Sequence, residues 1–318
     1  MVVVVPLVAL QADLQQHCQR LGITCVEWES WRPPDEVSIV LVTPESVVTG
    51  DFFQFLNRQR LVQRLDQIVI DECHVMLNDQ ADFRPELQQL GKLLEAETQM
   101  VLLMATLPPM DEALLCSQLH CRADQVRVFW SWMSRANVAY RVWRLMVEDT
   151  VYHSHQWWIE MSQVQTFVVE WVQQSQPGKM IVYVQMVDHV TEMAEQLGCE
   201  AYFHDQVDKA AILQRFMSAR HPVIVATSAM GMGLDVPDIW CILHLGMPWT
   251  LQDYAQESGR AGQDGQASKA IIIVPAGMDE MPPWYDDQPA VVGKQAHVLQ
   301  YMRAGSEAPM EAGGRAQC

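Results

Sequence analysis

Short β-branched apolar runs recur along this chain between longer amphipathic stretches, and that alternation restricts it to a small set of folds. The runs are Val2–Val5, Ile39–Val42, Gln67–Ile70 and Met100–Met104, then Met180–Val184, Val223–Ala226, Cys241–Leu245 and Ala270–Val274. Apolar runs of about four to eight residues without polar alternation describe strands buried on both faces, and helix-length segments between them imply parallel pairing. The class predicted is α/β, with two parallel sheets flanked by helices. Between the two groups of runs, Phe129 to Trp171 is rich in Trp and His and its period is less clear, which puts a domain boundary near residue 145. Domains are expected over 1–145 and 146–285. After Pro275 the chain turns Pro-, Gly- and Asp-rich, and 286–318 is expected to be a loosely ordered tail.

A length of 318 residues suits two domains, and a hydrophobic content of 49% supports packed cores. Lys and Arg total 21 against 39 Asp and Glu, a net charge of −18. Non-specific attraction to phosphate backbones is therefore expected to be weak, and any nucleic-acid site must be local. Met1 to Leu10 lacks the basic start and small-residue cleavage site of a signal peptide, and Gln11 and Asp13 follow it, so it reads as a buried strand. No apolar run approaches the roughly 18–20 residues that span a bilayer, and a soluble protein is expected. The eight cysteines form no CxxC pair, which points to reduced thiols in an intracellular protein. Cys116, His120 and Cys121 lack a second ligand pair, so packing is favoured over zinc there. Trp130, Trp132, Trp143, Trp157, Trp158 and Trp171 admit two readings, a stacking platform for bases or interdomain packing with a helix face, and the second is favoured.

Asp71-Glu72-Cys73-His74 follows the run Gln67–Ile70, which sets two carboxylates at the carboxyl end of a parallel strand, where open α/β sheets hold ligands. Adjacent acids there suit a nucleotide-bound metal and a water. Asp71 would hold Mg²⁺ through its hydration shell, and Glu72 would orient and deprotonate the attacking water. Further along, one apolar run ends in Ala105-Thr106-Leu-Pro-Pro109 and another in Ala226-Thr-Ser-Ala-Met-Gly-Met-Gly-Leu-Asp235, each carrying hydroxyls or glycines at a strand end. Gln256-Glu-Ser-Gly-Arg-Ala-Gly-Gln-Asp-Gly265 closes the set.

Taken in this order, these motifs resemble the RecQ family of superfamily 2 DNA helicases, over nearly the whole chain. Val4-Val-Pro-Leu7 with Leu10 is similar to the family's motif Ia, Thr43-Pro-Glu45 to motif Ib, and Asp82-Phe-Arg-Pro85 to the segment after its aromatic-rich loop. In style the chain resembles fungal, telomere-linked RecQ-like sequences. The resemblance implies two RecA-like domains that clamp ATP and Mg²⁺, with single-stranded or forked DNA crossing them, 3′-to-5′ unwinding, and a nuclear location. It implies catalytic roles for Asp71, Glu72, His74, Thr106 and Arg260, and nucleotide contacts for Asp71, Gly233, Asp235, Gln256 and Arg260. DNA contacts would fall to Pro6, Thr43, Pro44, Phe83, Arg84, Thr227 and Ser228.

The chain departs from the family in four places. The phosphate-binding loop GxxxxGK[ST] should precede motif Ia, yet Gly91-Lys92, Gly178-Lys179 and Gly293-Lys294 are the only Gly-Lys pairs, and none is followed by Ser or Thr. Family members read GRAGRDG where this chain reads Gly259-Arg-Ala-Gly-Gln-Asp-Gly265, so the arginine finger on the γ-phosphate has become Gln263. The aromatic-rich loop is reduced to Phe83, and the family's zinc module is missing, so zinc is not expected. A truncated, catalytically impaired relative is the main expectation, and a non-catalytic nucleic-acid or protein binding module is the alternative. Without the strand that leads into the phosphate loop, two strands of the first sheet are expected to carry unpaired backbone groups, leaving that domain marginal.

Overall fold

In the computed structural model the described residues are 1–6, 8–77, 86–105, 107, 111–131, 135–146, 159, 162–174, 178–219, 222–231, 236–276, 289–304 and 310–311. The chain divides into two compact units, Met1–Ser131 and Trp132–Cys318. The boundary lies earlier than the expected position near 145. The reason is that Val138–Met146 forms a strand paired along its whole length with the second unit's sheet, which binds it to that unit by backbone hydrogen bonds.

The first unit runs β1 (Val2–Val4), α1 (Val8–Arg20), β2 (Cys25–Glu27), β3 (Ile39–Val42), α2 (Pro44–Val47), α3 (Gly50–Leu61), β4 (Gln67–Ile70), β5 (Gln99–Leu102) and α4 (Glu112–Gln118). Among the described residues its strands form a five-stranded parallel sheet in the order β2-β3-β1-β4-β5. Successive residues of β1 point to opposite faces and both faces are covered. Val2 and Val4 pack with Phe52, Phe55 and Leu56 of α3, while Val3 packs with Leu10 and Leu14 of α1. Burial on both faces is what the unbroken valine run requires.

The second unit runs β6 (Val138–Met146), α5 (Ser162–Gln174), β7 (Lys179–Val184), α6 (Val187–Leu197), β8 (Glu200–Tyr202), α7 (Lys209–Ser218), β9 (Val223–Ala226), β10 (Ile239–Leu245), α8 (Leu251–Ser258), β11 (Ser268–Pro275), α9 (Pro289–Ala304) and β12 (Met310–Glu311). Its described strands form a seven-stranded parallel sheet, β12-β6-β11-β10-β7-β9-β8. On one face Val168, Val190 and Met193 from α5 and α6 pack against Val182 and Leu243; on the other Ile212 and Phe216 of α7 pack against Ile181 and Ile242. The region expected to be a loose tail is corrected in part. Within it α9 buries Val298, Leu299 and Met302, and β12 adds a strand beside β6. Val298 and Met302, four residues apart, lie on one face of a helix, and that apolar stripe docks it.

Helix starts are set locally. Thr49 begins α3 by accepting the Phe52 N–H, and Thr250 begins α8 by accepting the Asp253 N–H at 3.0 Å while its hydroxyl donates to Asp253 Oδ2 at 2.7 Å. The helix α6 stops at Gly198, whose φ of 63° lies in the left-handed region that favours glycine. Trp143 of β6 meets Trp171 of α5 edge to face with centroids 5.1 Å apart, which makes these two tryptophans core packing. Trp130 is exposed, and Trp132, Trp157 and Trp158 lie outside the described residues.

Candidate functional site

Within the first sheet, β1 connects toward β2 on one side and β4 toward β5 on the other, so the strand order reverses between the adjacent strands β1 and β4. Such a switch point opens a crevice at the carboxyl ends of the strands. Asp71 and Glu72 stand there, both half-buried. Asp71 donates its N–H to Val4 O at 3.0 Å, and its Oδ1 accepts the Glu72 N–H at 3.0 Å. Glu72 has a φ of 47°, in a region that costs a non-glycine residue of order 1–3 kcal/mol. Leu103 N–H donates to Ile70 O and Cys73 N–H to Leu103 O, which ties the acidic turn to the end of β5. Beneath it, burial pushes the Cys73 thiol up to about 12, with the Glu72 and Asp71 carboxylates adding to the shift. That thiol is a neutral packing group at neutral pH.

Pro6 is buried at the end of β1. Thr43 caps α2, accepting the Ser46 N–H at 3.3 Å, and Pro44 is buried behind it. His74 lies in the 3-10 segment Cys73–Leu77, with its side chain outside the described residues. Thr106, Phe83, Arg84, Gly233 and Asp235 also lie outside them.

In the second unit Thr227 is buried after β9, with its Oγ1 accepting the Ala229 N–H at 3.3 Å, while Ser228 is exposed. Gln256 is half-buried on α8. Arg260 is buried, at 8% exposure, close to Tyr183 and Glu257. Burial pushes the Tyr183 hydroxyl pKa up; the Arg260 guanidinium opposes that shift and the Glu257 carboxylate reinforces it. His244 and Glu257 form a buried pair, Nε2 to Oε2 at 2.7 Å. The imidazole stacks on Tyr183 at 5.1 Å and meets Tyr254 at 5.2 Å.

The loop Gly259–Gly265 is held from a distant part of the chain. The Arg135 guanidinium donates to Gly259 O at 2.9 Å, to Ala261 O at 3.0 Å and to Gly262 O, and Asn137 Nδ2 donates to Gly262 O and Gln266 O at 2.8 Å each. Gly262 has a φ of 58°, and a Cβ there would collide with Ser268 Oγ and stand 2.6 Å from Asn137 Nδ2, so the position accepts only glycine. The clamp turns Arg260 inward and leaves Gln263 exposed. Arg135, Asn137, His244 and Glu257 were not anticipated from the sequence. A basic and an amide residue just before a strand carry no local signal for partners more than a hundred residues away.

A triphosphate needs backbone N–H groups in a glycine-rich cradle and a lysine at a strand's carboxyl end. The Gly-Lys pairs do not supply one. Gly91 packs on the His120 ring, with Lys92 bonded to Gln89 at 2.9 Å. Lys179 stands at the amino end of β7, paired with Asp238 at 2.8 Å, and Gly293-Lys294 lies within α9. The described residues therefore do not fit a nucleotide's phosphates, although the acids at the end of β4 are placed to meet a hydrated cation. Among the described residues no group of three or more His, Cys, Asp or Glu stands together as a metal site.

Residues 1–113 match the DEAD/DEAH box helicase family, and residues 162–265 match the helicase conserved C-terminal domain. The chain is 27% identical over 297 residues to the ATP-dependent DNA helicase RecQ of Bacillus subtilis, covering 86% of this chain and 46% of that protein. It is 28% identical over 305 residues to the RecQ-like DNA helicase blm-1 of Caenorhabditis elegans, covering 86% and 28%. The chain thus spans less than half the length of these relatives. In fold it is similar to Saccharomyces cerevisiae Dbp5 bound to RNA and ADP BeF3, with a TM-score of 0.66 at 16% identity over 98% of this chain and 78% of that one. Mycobacterium smegmatis helicase Lhr bound to ssDNA and AMP-PNP gives 0.58 at 18% identity over 97% and 42%.

Proposed function

The chain belongs to the superfamily 2 helicases, with RecQ helicases as its homologues, and from that premise we propose a DNA-binding helicase module whose ATP turnover is severely impaired. One observation carries this reading. The loop that in the family presents an arginine finger presents exposed Gln263 here, while the remaining arginine, Arg260, is turned inward beside Tyr183 and Glu257. A neutral amide supplies no charge to a γ-phosphate, and such a finger contributes about 10³–10⁵ in rate, or roughly 4–7 kcal/mol.

ATP and Mg²⁺ are the cofactors the family implies. When bound, the metal would neutralise charge on the phosphates. Asp71 would face its water shell, and Glu72 would hold a water's proton. DNA is the proposed partner, bound no more tightly than about 10⁻⁵ M at physiological salt given the charge of −18. The proposed location is nuclear.

The test is ATP hydrolysis by the purified chain, with and without single-stranded DNA, beside Glu72→Gln. The expected turnover equals that of the variant. DNA-stimulated turnover that Glu72→Gln abolishes overturns the impaired reading.

A further inference from the structure

Two cysteines meet at the outer edge of the first sheet. Cys25 opens β2, the edge strand, and its side chain joins the cluster of Val3, Val5 and Leu41 onto which α1 lays Leu10 and Leu14. Cys18 follows Leu14 by four residues, so it continues that face of α1 by one more turn. The two thiols hydrogen-bond each other.

The turn between them keeps the two ends together. The N–H groups of Leu21 and Ile23 donate to Cys18 O at 3.1 and 2.9 Å, and Gln15 Nε2 donates to Cys25 O at 3.5 Å. Both cysteines are half-buried, while Leu21, Gly22, Ile23 and Thr24 between them are exposed, so a small solute reaches the thiols and the turn has room to adjust. A second close pair is less open. Cys116 is buried on α4, and Cys121 Sγ is directed at Cys116 O at 3.6 Å, next to His120, whose ring packs on Gly91.

We propose that Cys18 and Cys25 form a redox-active dithiol, oxidised to an intramolecular disulfide by a low-molecular-weight disulfide of the glutathione class. Burial, and then the neighbouring Cys18 thiol, push the Cys25 thiol up to about 12, so Cys25 stays protonated and Cys18 reacts first. The Cys18 thiolate attacks one sulfur of the oxidant, breaks its S–S bond and expels a thiolate, which takes up the Cys18 proton. Once Cys18 is in the mixed disulfide, its thiol no longer raises Cys25. Cys25 then loses its proton and attacks Cys18 Sγ, and the second thiolate leaves and takes that proton. The protein gives up two electrons and two protons, and one oxidant disulfide becomes two thiols. The bridge staples α1 to the edge strand, and in a reducing compartment the dithiol is the resting form. None of the residues assigned to nucleotide or DNA takes part, so the dithiol is independent of ATP turnover.

The experiment incubates the full chain with oxidised glutathione in mildly alkaline native buffer, quenches with acid and blocks the remaining thiols by alkylation. Peptide mass spectrometry then maps bridges and glutathione adducts, in the wild type, in Cys18→Ser and in Cys25→Ser. The bridge between Cys18 and Cys25 should form at least about tenfold faster than any other, and excess reduced glutathione should open it. Cys25→Ser should retain one glutathione on Cys18, while Cys18→Ser should leave Cys25 largely unmodified. A wild-type bridge that forms no faster than the others, or only in urea that unfolds the first unit, overturns the proposal. Glutathione carried as readily by Cys25 in Cys18→Ser as by Cys18 in Cys25→Ser overturns the assignment of Cys18 as the attacking thiol.

Discussion

The two units are built from the same strand chemistry but enclose it unequally. In the second, all six residues of β7 are buried and β10 is nearly as enclosed, between neighbours on both sides. In the first, β5 is an edge strand with Gln99 exposed, Met100 to Leu102 half-buried and Leu103 48% exposed. The difference teaches that a β-branched run is stabilised by what covers it rather than by its propensity. It also narrows the expectation of two strands with unpaired backbone groups. Among the described residues β4 pairs with both β1 and β5, so the open side next to the acidic turn belongs to β5 alone.

The largest expected effect comes from matched core truncations. Leu243→Ala in β10, at 0% exposure, should cost the second unit about 2–5 kcal/mol, while Met100→Ala in the half-buried β5 should cost the first about 1 kcal/mol. Urea unfolding with a reporter in each unit measures both, and equal losses would break the comparison. Next, Arg135→Ala removes three charge-assisted bonds to backbone carbonyls and should destabilise the second unit by about 2 kcal/mol, with Arg135→Lys recovering only part. An unchanged midpoint for Arg135→Ala would show that the loop holds itself.

Thiols report on opening in each unit. Burial pushes Cys73 up to about 12 and raises Cys241 as well, so neither ionises in the folded state near pH 8, and alkylation there requires local opening. In mild urea Cys73 should be alkylated roughly tenfold faster than Cys241, and the reverse order would overturn the ranking of the units. The sign of the linkage follows from the same shift. The Cys73 contribution to stability is present below the unfolded thiol value of 9.0 and is lost as pH rises from there toward about 12. The smallest effect is a control. Gly22 and Gly198, one in each unit, have φ of 71° and 63° with nothing within 4 Å of an added Cβ. Alanine at either should cost about 1 kcal/mol, because that strain is local and independent of enclosure. Unequal costs in thermal unfolding would show coupling of these turns to their sheets.

Much of this fold was legible in the chain. Ile39–Val42, Gln67–Ile70 and Val223–Ala226 are strands with the expected bounds, because a parallel strand buried on both faces must be apolar throughout. Three-residue β2, with no fully buried residue, left no such run. The mixed pattern of β6, with exposed, half-buried and buried residues interleaved, hid a strand inside the Trp-rich stretch and moved the boundary. The placement of Asp71 and Glu72 was legible because they follow a strand directly, which short-range sequence carries.

The sequence by itself determined the α/β class, the order of the motifs and the presence of Gln263 where the family carries an arginine. These depend on residue identity and on spacing within single elements. Only the tertiary structure decided that Arg135 holds the Gly259–Gly265 loop, that Arg260 turns inward, and that His244 forms a buried pair with Glu257. These depend on strand register and on which helix crosses which strand end, and both are set by packing between segments far apart in the chain.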